Sequence, residues 1–118
     1  MTTRAAPGEI QSVLGPVAPD DLGFTLPHEH TKVTLWHIQG RWDYWELIGE
    51  EPRIVEELGA YAAAGGRALV DLTLDGIGRD LSRLARLAEA TKLHIIGGSG
   101  WYRTAYYPPE ARIDTRTT

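Results

Sequence analysis

The stretch ALVDLTLDGIGRDLSRLARLAEATKLHIIGG, residues 68–98, predicts a strand, a loop, a helix and a second strand. Residues 68–73 are apolar and rich in strand formers, as expected of a buried parallel strand. Asp80 is placed to cap a helix that ends near Lys92, and residues 93–98 form the next strand. One face of that helix is apolar: Leu81, Leu84, Leu87 and Ala88. Such a unit predicts an α/β fold whose parallel strands are joined by right-handed crossovers.

Residues 10–30 predict two strands separated by a turn. The first strand covers the apolar positions from Ile10 to Leu14, and the turn at residues 15–21 holds two prolines and two aspartates. The second strand covers about residues 23–30. It contains Pro27, which cannot donate a hydrogen bond to a neighbouring strand.

Residues 33–45 carry three of the four tryptophans in no clean period, which predicts a long aromatic loop. Pro52 suits the first turn of the following helix, and Gly65 and Gly66 end it. The predicted order is therefore a hairpin, strand, helix, strand, helix and strand.

The composition excludes several classes of protein. The 118 residues suit one domain, and 42% hydrophobic with 24% charged residues is ordinary for a globular chain. The net charge of -4 and the scattered basic residues argue against a nucleic-acid partner. There is no cysteine, so any metal must be bound by His, Asp or Glu.

The chain also lacks sequence signals for export or membrane insertion. Residues 1–9 have no apolar core of a secretory signal, and no stretch approaches the roughly 20 apolar residues of a membrane span. We therefore expect a soluble, cytoplasmic protein without a membrane partner.

His28 and His30 are the strongest candidates for metal ligands. They are separated by one residue at the end of a predicted strand, so both imidazoles lie on one face while Glu29 points away. Two neutral ring nitrogens could then converge on one ion. The alternative is that both are partly exposed polar residues without a ligand.

The sequence around this pair resembles the phosphotriesterase family of the amidohydrolase superfamily. The resemblance covers roughly residues 10–109. It rests on LGP (14–16), DDLG (20–23), TLPHEH (25–30), VDLT (70–73), GIGRD (76–80) and HIIGGSGWY (94–102).

The resemblance implies a (β/α)₈ barrel, of which the chain contains the N-terminal hairpin and about the first three strands. It implies that His28 and His30 bind the more buried ion of a two-metal centre, for which Zn²⁺ is the expected metal. A carbamylated lysine, two further histidines and an aspartate complete the family's centre, and none of these four can be assigned here. We therefore assign no catalytic residue. Thr31 departs from the family pattern, in which an aliphatic residue is common, but it points away from the metal face.

Two aromatic residues are candidates for substrate binding. Tyr102 follows the third parallel strand, where the resemblance places an aromatic residue of the substrate pocket, and its hydroxyl could reach the reacting water. Trp101 is expected to line the same pocket. The loop tryptophans Trp36, Trp42 and Trp45 are weaker candidates for the same role. Packing is the alternative role for all of them.

Other polar and glycine positions have structural explanations. Asp71 lies in a buried strand, and a hydrogen-bonded structural carboxylate is the favoured interpretation over a metal ligand. Gly76 and Gly78 lack the third glycine of a dinucleotide fingerprint. His37 and His94 lack partners at ligand spacing, so we expect solvated or packing roles.

The resemblance implies a metal-dependent hydrolase of esters, of the phosphotriester or lactone class, that uses hydroxide activated by the paired ions. Aromatic loops favour an apolar small-molecule substrate. A complete barrel needs about 250 residues, so we expect residues 1–118 to be the N-terminal portion of one and to be inactive alone. The alternative is a non-catalytic, truncated or split fragment that associates with a complementary chain or with itself.

Overall fold

A computed structural model describes residues 3–35, 46–47 and 50–111. The strands and helices in chain order are β1 (Ile10–Ser12), β2 (Gly15–Val17), α1 (Pro19–Leu22), β3 (Thr25–Glu29), β4 (Val33–Thr34), β5 (Glu46–Leu47), α2 (Glu51–Ala63), β6 (Ala68–Asp71), α3 (Leu81–Thr91) and β7 (His94–Gly97). Two 3₁₀ turns follow at Thr104–Tyr106 and Pro109–Ala111.

The centre of the fold is a parallel sheet in the order β3, β6, β7. Helix α2 connects the first two strands and α3 connects the last two. Apolar side chains of both helices pack against Leu69 of β6 and Ile95 of β7, so both helices cover the same face. Consecutive neighbouring strands with all crossovers on one face are the arrangement of a barrel wall rather than of a doubly wound sheet. The expected α/β class is confirmed.

The buried core lies between this sheet and the two helices. Its buried members are Leu69, Leu84, Leu87, Ala88, Leu93 and Ile95. The predicted cap of α3 is confirmed, because Oδ1 of Asp80 accepts a hydrogen bond from the N–H of Arg83 at 3.0 Å. Lys92 adopts a left-handed conformation and ends the helix.

The predicted apolar face of α3 is wrong at one position. Leu81 is 50% exposed, whereas Arg83 is only 6% exposed. The buried face is rotated toward Arg83 because its guanidinium finds hydrogen-bond acceptors beneath the helix. Apolar spacing alone cannot reveal such a partner.

The predicted hairpin is also placed differently. β1 pairs with β2, which lies inside the segment predicted as a turn, whereas the strand predicted at residues 23–30 joins the parallel sheet as β3. The turn is tighter than expected, because the hydroxyl of Ser12 donates to the carbonyl of Gly15 at 2.7 Å. Pro19 then begins the one-turn helix α1, so residues 15–21 are not simply a turn.

Helix α2 has Pro52 in its first turn and ends before Gly65, as predicted. Its Glu51 forms an ion pair with Arg86 of α3, with an N–O distance of 2.9 Å. The hydrogen bond from Arg86 lowers the pKa of the Glu51 carboxyl. No helix in the described ranges is long and apolar enough to cross a membrane.

Candidate metal site

A register shift in β3 sets the geometry of the site. Leu26 lies opposite Leu69 and Glu29 lies opposite Asp71, so two residues of β3 face the single residue Val70 of β6. This is a β-bulge. It falls on the proline of the strand, which has no N–H to give to the ladder, and bulges are among the few positions where strands accept proline.

The bulge changes which face the strand presents. Leu26 packs into the core beneath the helices, whereas an unbroken period of two would place it on the face of His28. After the bulge, the side chain of Thr31 reaches Asp71 and Arg83 on the helix-covered face. His28 and His30 therefore lie on the opposite, open face, with ring centroids 5.3 Å apart and an interplanar angle of 68°. The predicted shared face is confirmed.

The tautomer of His30 follows from its hydrogen-bond partner. Nδ1 of His30 lies 2.9 Å from the hydroxyl oxygen of Thr73. That hydroxyl donates its one hydrogen to the carbonyl of Lys32 at 2.6 Å. It can therefore only accept from His30, so Nδ1 carries a proton, and in the neutral imidazole the lone pair then lies on Nε2. A histidine held in this way is prepared to bind a metal through Nε2.

Asp71 is a structural carboxylate and not a further ligand of the pair, as the sequence favoured. It is 1% exposed. Its Oδ2 accepts from the N–H and the hydroxyl of Thr31 at 2.9 and 2.6 Å. Its Oδ1 accepts from the N–H of Thr73 at 2.9 Å. All three bonds fix the segments that follow β3 and β6.

The structure brings the two histidines together on one face, but no third candidate ligand beside them among the described residues. In the described part of the chain, no group of three or more His, Asp or Glu side chains could hold an ion. His94 is the first residue of β7 and so lies at the opposite end of the sheet. His37 lies outside the described residues.

Trp101 and Tyr102 follow β7, at the same carboxyl-terminal edge of the parallel sheet as the histidines. They are 49% and 36% exposed. Trp101 contacts the ring of Tyr107 and Tyr102 contacts that of Tyr106, with centroid distances of 5.8 and 5.5 Å. The loop tryptophans Trp36, Trp42 and Trp45 lie outside the described residues.

A groove of about 570 Å³ lies elsewhere, between the N-terminal hairpin, α3 and the end of β7. Neither histidine lines it. The open face that carries the histidines is thus distinct from this groove.

Three residues around the site were missed from the sequence: Thr31, Thr73 and Arg83. Thr31 and Thr73 have ordinary strand-former character, and nothing local indicates their distant partners. Arg83 gives a weak signal, because it lies four residues before Leu87 and so falls on the buried stripe of α3.

Comparison with known proteins places this geometry in a family. The model of the phosphotriesterase family matches residues 8–117. The chain belongs to the phosphotriesterase family. Its sheet and helices are correspondingly part of the barrel of phosphotriesterase-like proteins.

Relatives of this phosphotriesterase-family chain include the N-acetyltaurine hydrolase of Salmo salar, which is 35% identical over 136 residues. That match covers 92% of the chain and 39% of the relative. A resiniferatoxin-binding protein from Rhodobacter sphaeroides aligns with a TM-score of 0.77 and 26% identity, over 88% of this chain and 37% of that one. A lactonase from Listeria monocytogenes aligns with a TM-score of 0.73 and 26% identity, over 91% and 32%. The chain thus spans well under half the length of these relatives.

We predict that Thr73→Val will allow His30 to populate both of its neutral tautomers. The variant keeps the shape of the side chain but removes the hydroxyl that accepts from Nδ1. In metal-free protein, long-range ¹H–¹⁵N correlation spectra should show mainly the Nδ1–H form in wild type and a mixture in the variant. Thr25→Val is the control, because Thr25 lies on β3 and its hydroxyl donates to the carbonyl of the nearby Gly23. An unchanged Nδ1–H signal in Thr73→Val would contradict the assignment.

Proposed function

We propose that this chain provides the first two metal ligands of a metal-dependent hydrolase that acts on ester bonds of the phosphotriester or lactone class. The observation that carries the proposal is the His28 and His30 pair on the open face of the sheet, with the proton of His30 held on Nδ1. Barrel enzymes gather their reacting groups at the carboxyl ends of the strands, which is where this pair lies.

The donor chemistry of the pair suits zinc. Neutral imidazole is a common zinc ligand, and a hydrogen bond from the second ring nitrogen is the usual support for it. When bound, paired ions would polarise the substrate oxygen and lower the pKa of water. Catalytic zinc sites generally use three protein ligands, so we propose that the rest of the set comes from a polypeptide segment that completes the barrel.

The other residues of the chain contribute positioning and a binding surface. Thr73 orients the ring of His30, and Asp71 holds Thr73 by its backbone N–H. We propose that Tyr102 and Trp101 line the substrate pocket from the end of β7. Their exposed rings offer apolar surface, and the hydroxyl of Tyr102 can hydrogen-bond a substrate or a water molecule.

The names of the relatives favour a carbonyl centre and add amides to the candidate substrates. One is named for the hydrolysis of N-acetyltaurine, an amide, and one is named a lactonase. Both names describe attack on an acyl carbon. A substrate panel should therefore contain a lactone, a phosphotriester and an N-acyl amino sulfonate.

The non-catalytic alternative is a fragment that associates with itself or with a complementary chain. The open sheet face would then be an assembly surface. Mixing the purified chain with a candidate complementary segment distinguishes the two, since only the hydrolase proposal requires turnover to appear.

We predict that replacing both His28 and His30 with Ala will abolish metal retention and turnover in the completed barrel. Each change removes an imidazole nitrogen from the same ion. Elemental analysis after dialysis and initial rates on the three substrates are the measurements. His94→Ala, at the far end of the sheet, should retain both properties. If the double variant keeps its metal stoichiometry and rate, the metal assignment is wrong.

For Tyr102 we predict a larger loss of turnover than of stability. Tyr102→Ala removes an exposed ring, so its unfolding free energy should change by no more than about 1 kcal/mol. Turnover should fall at least about tenfold if the ring lines the pocket, and Tyr102→Phe should separate the role of the hydroxyl from that of the ring. Parallel losses of stability and turnover in Tyr102→Ala would instead mark a packing residue.

A further inference from the structure

Arg83 is a buried cation on the inner face of α3. Only 6% of the residue is exposed. Buried charges require partners, and both terminal nitrogens of Arg83 find theirs on a single residue. Nη1 donates to the hydroxyl oxygen of Thr31 and Nη2 donates to its carbonyl oxygen, each at 3.0 Å. The guanidinium therefore hydrogen-bonds both the side chain and the backbone of Thr31.

Thr31 also hydrogen-bonds a second buried charge, the carboxylate of Asp71. Its N–H and its hydroxyl donate to Oδ2 of Asp71. The buried guanidinium of Arg83 and the buried carboxylate of Asp71 are thus linked through Thr31, which hydrogen-bonds both of them. Glu51 adds a weaker contact with Nε of Arg83, at 3.9 Å and near the surface.

The same network ends at the candidate metal ligand. The other oxygen of Asp71 accepts from the backbone N–H of Thr73, and the hydroxyl oxygen of Thr73 accepts a hydrogen bond from Nδ1–H of His30. The Thr73 hydroxyl also bonds the carbonyl of Lys32. Hydrogen bonds therefore hold each of residues 30–32 in place. Arg83 contacts this segment through Thr31.

We propose that Arg83 is a positioning residue for the histidine pair: through Thr31 and Asp71 it fixes the backbone and the ring orientation of His30. This inference rests on the proposed metal-binding function. Residues that orient a metal ligand from behind typically change metal affinity by about 10- to 100-fold when replaced. Arg83 reaches the ligand through three further residues, Thr31, Asp71 and Thr73, so we expect a loss of about tenfold, at the low end of this range.

A purely structural role is the competing explanation. Arg83 could simply attach α3 to the sheet, in which case its loss would lower stability without a specific effect on His30. The two explanations differ in the state of the His30 ring in protein that remains folded.

The experiment compares three variants on α3 in the purified full protein. Arg83→Met removes both hydrogen bonds from the guanidinium to Thr31. Arg86→Met removes an arginine that bonds Glu51 but not Thr31. Leu87→Ala creates a cavity in the core at a fully buried position of the same helix. The readouts are Zn²⁺ affinity, by competition with a chromophoric chelator, and the His30 tautomer in metal-free protein by ¹⁵N NMR.

We expect Arg83→Met to bind Zn²⁺ about tenfold more weakly and to show a mixture of His30 tautomers. Arg86→Met should stay within about twofold of wild type. Leu87→Ala should be less stable but keep the wild-type tautomer while folded. Thr31→Val is a milder change, because it keeps the backbone hydrogen bonds of residue 31. It should change the Zn²⁺ affinity and the His30 tautomer in the same direction as Arg83→Met, and it replaces Arg83→Met in the test if that variant does not fold.

The inference is overturned if folded Arg83→Met or Thr31→Val keeps both the wild-type Zn²⁺ affinity and the Nδ1–H form of His30. It is also overturned if Leu87→Ala shifts the tautomer as much as Arg83→Met does. Failure of wild-type protein to bind Zn²⁺ through the histidines would reject the proposed function instead. The tautomer measurement would still decide the positioning role of Arg83.

Discussion

The buried carboxylate of Asp71 is the constraint around which the site is arranged. A carboxylate removed from water must be compensated by hydrogen bonds or by a cation. Asp71 obtains three hydrogen bonds, and all of them come from Thr31 and Thr73, which follow two adjacent parallel strands. The charge thereby fixes two loop segments against each other. Losing one of these donors would leave a buried charge undercompensated, which is costly.

The bulge in β3 serves a second requirement of the same region. The strand must place Leu26 in the core and, a few residues later, both histidines on the open face. An unbroken strand puts residues 26, 28 and 30 on one face, so it cannot meet both needs. One extra residue at Pro27 reverses the alternation between Leu26 and His28. The bulge is therefore a condition for the site and not a local irregularity.

Local patterns were enough to predict the β6, α3 and β7 unit, since Asp80, Lys92 and the apolar runs are all local signals. The shared face of His28 and His30 was also predictable, because the two positions lie beyond the bulge and keep their own alternation. The turn at residues 15–21, which contains strand β2, and the buried face of α3 were predicted wrongly. β2 contains Gly15 and Pro16, which are depleted in strands, so its pattern favours a turn. Arg83 is buried by acceptors on a residue 52 positions away, which no local pattern shows. The roles of Thr31 and Thr73 could not be predicted for the same reason.

The central claim is that His28 and His30 bind one metal ion together, with Nε2 as the binding atom of His30. Anomalous diffraction at the zinc edge from crystals of the zinc-loaded protein tests it most directly. The account predicts a peak roughly 2.0–2.1 Å from a ring nitrogen of His28 and from Nε2 of His30, with Nδ1 of His30 still in contact with the Thr73 hydroxyl. A peak on Nδ1 of His30, or a zinc ion bound elsewhere with both histidines uncoordinated, would contradict it.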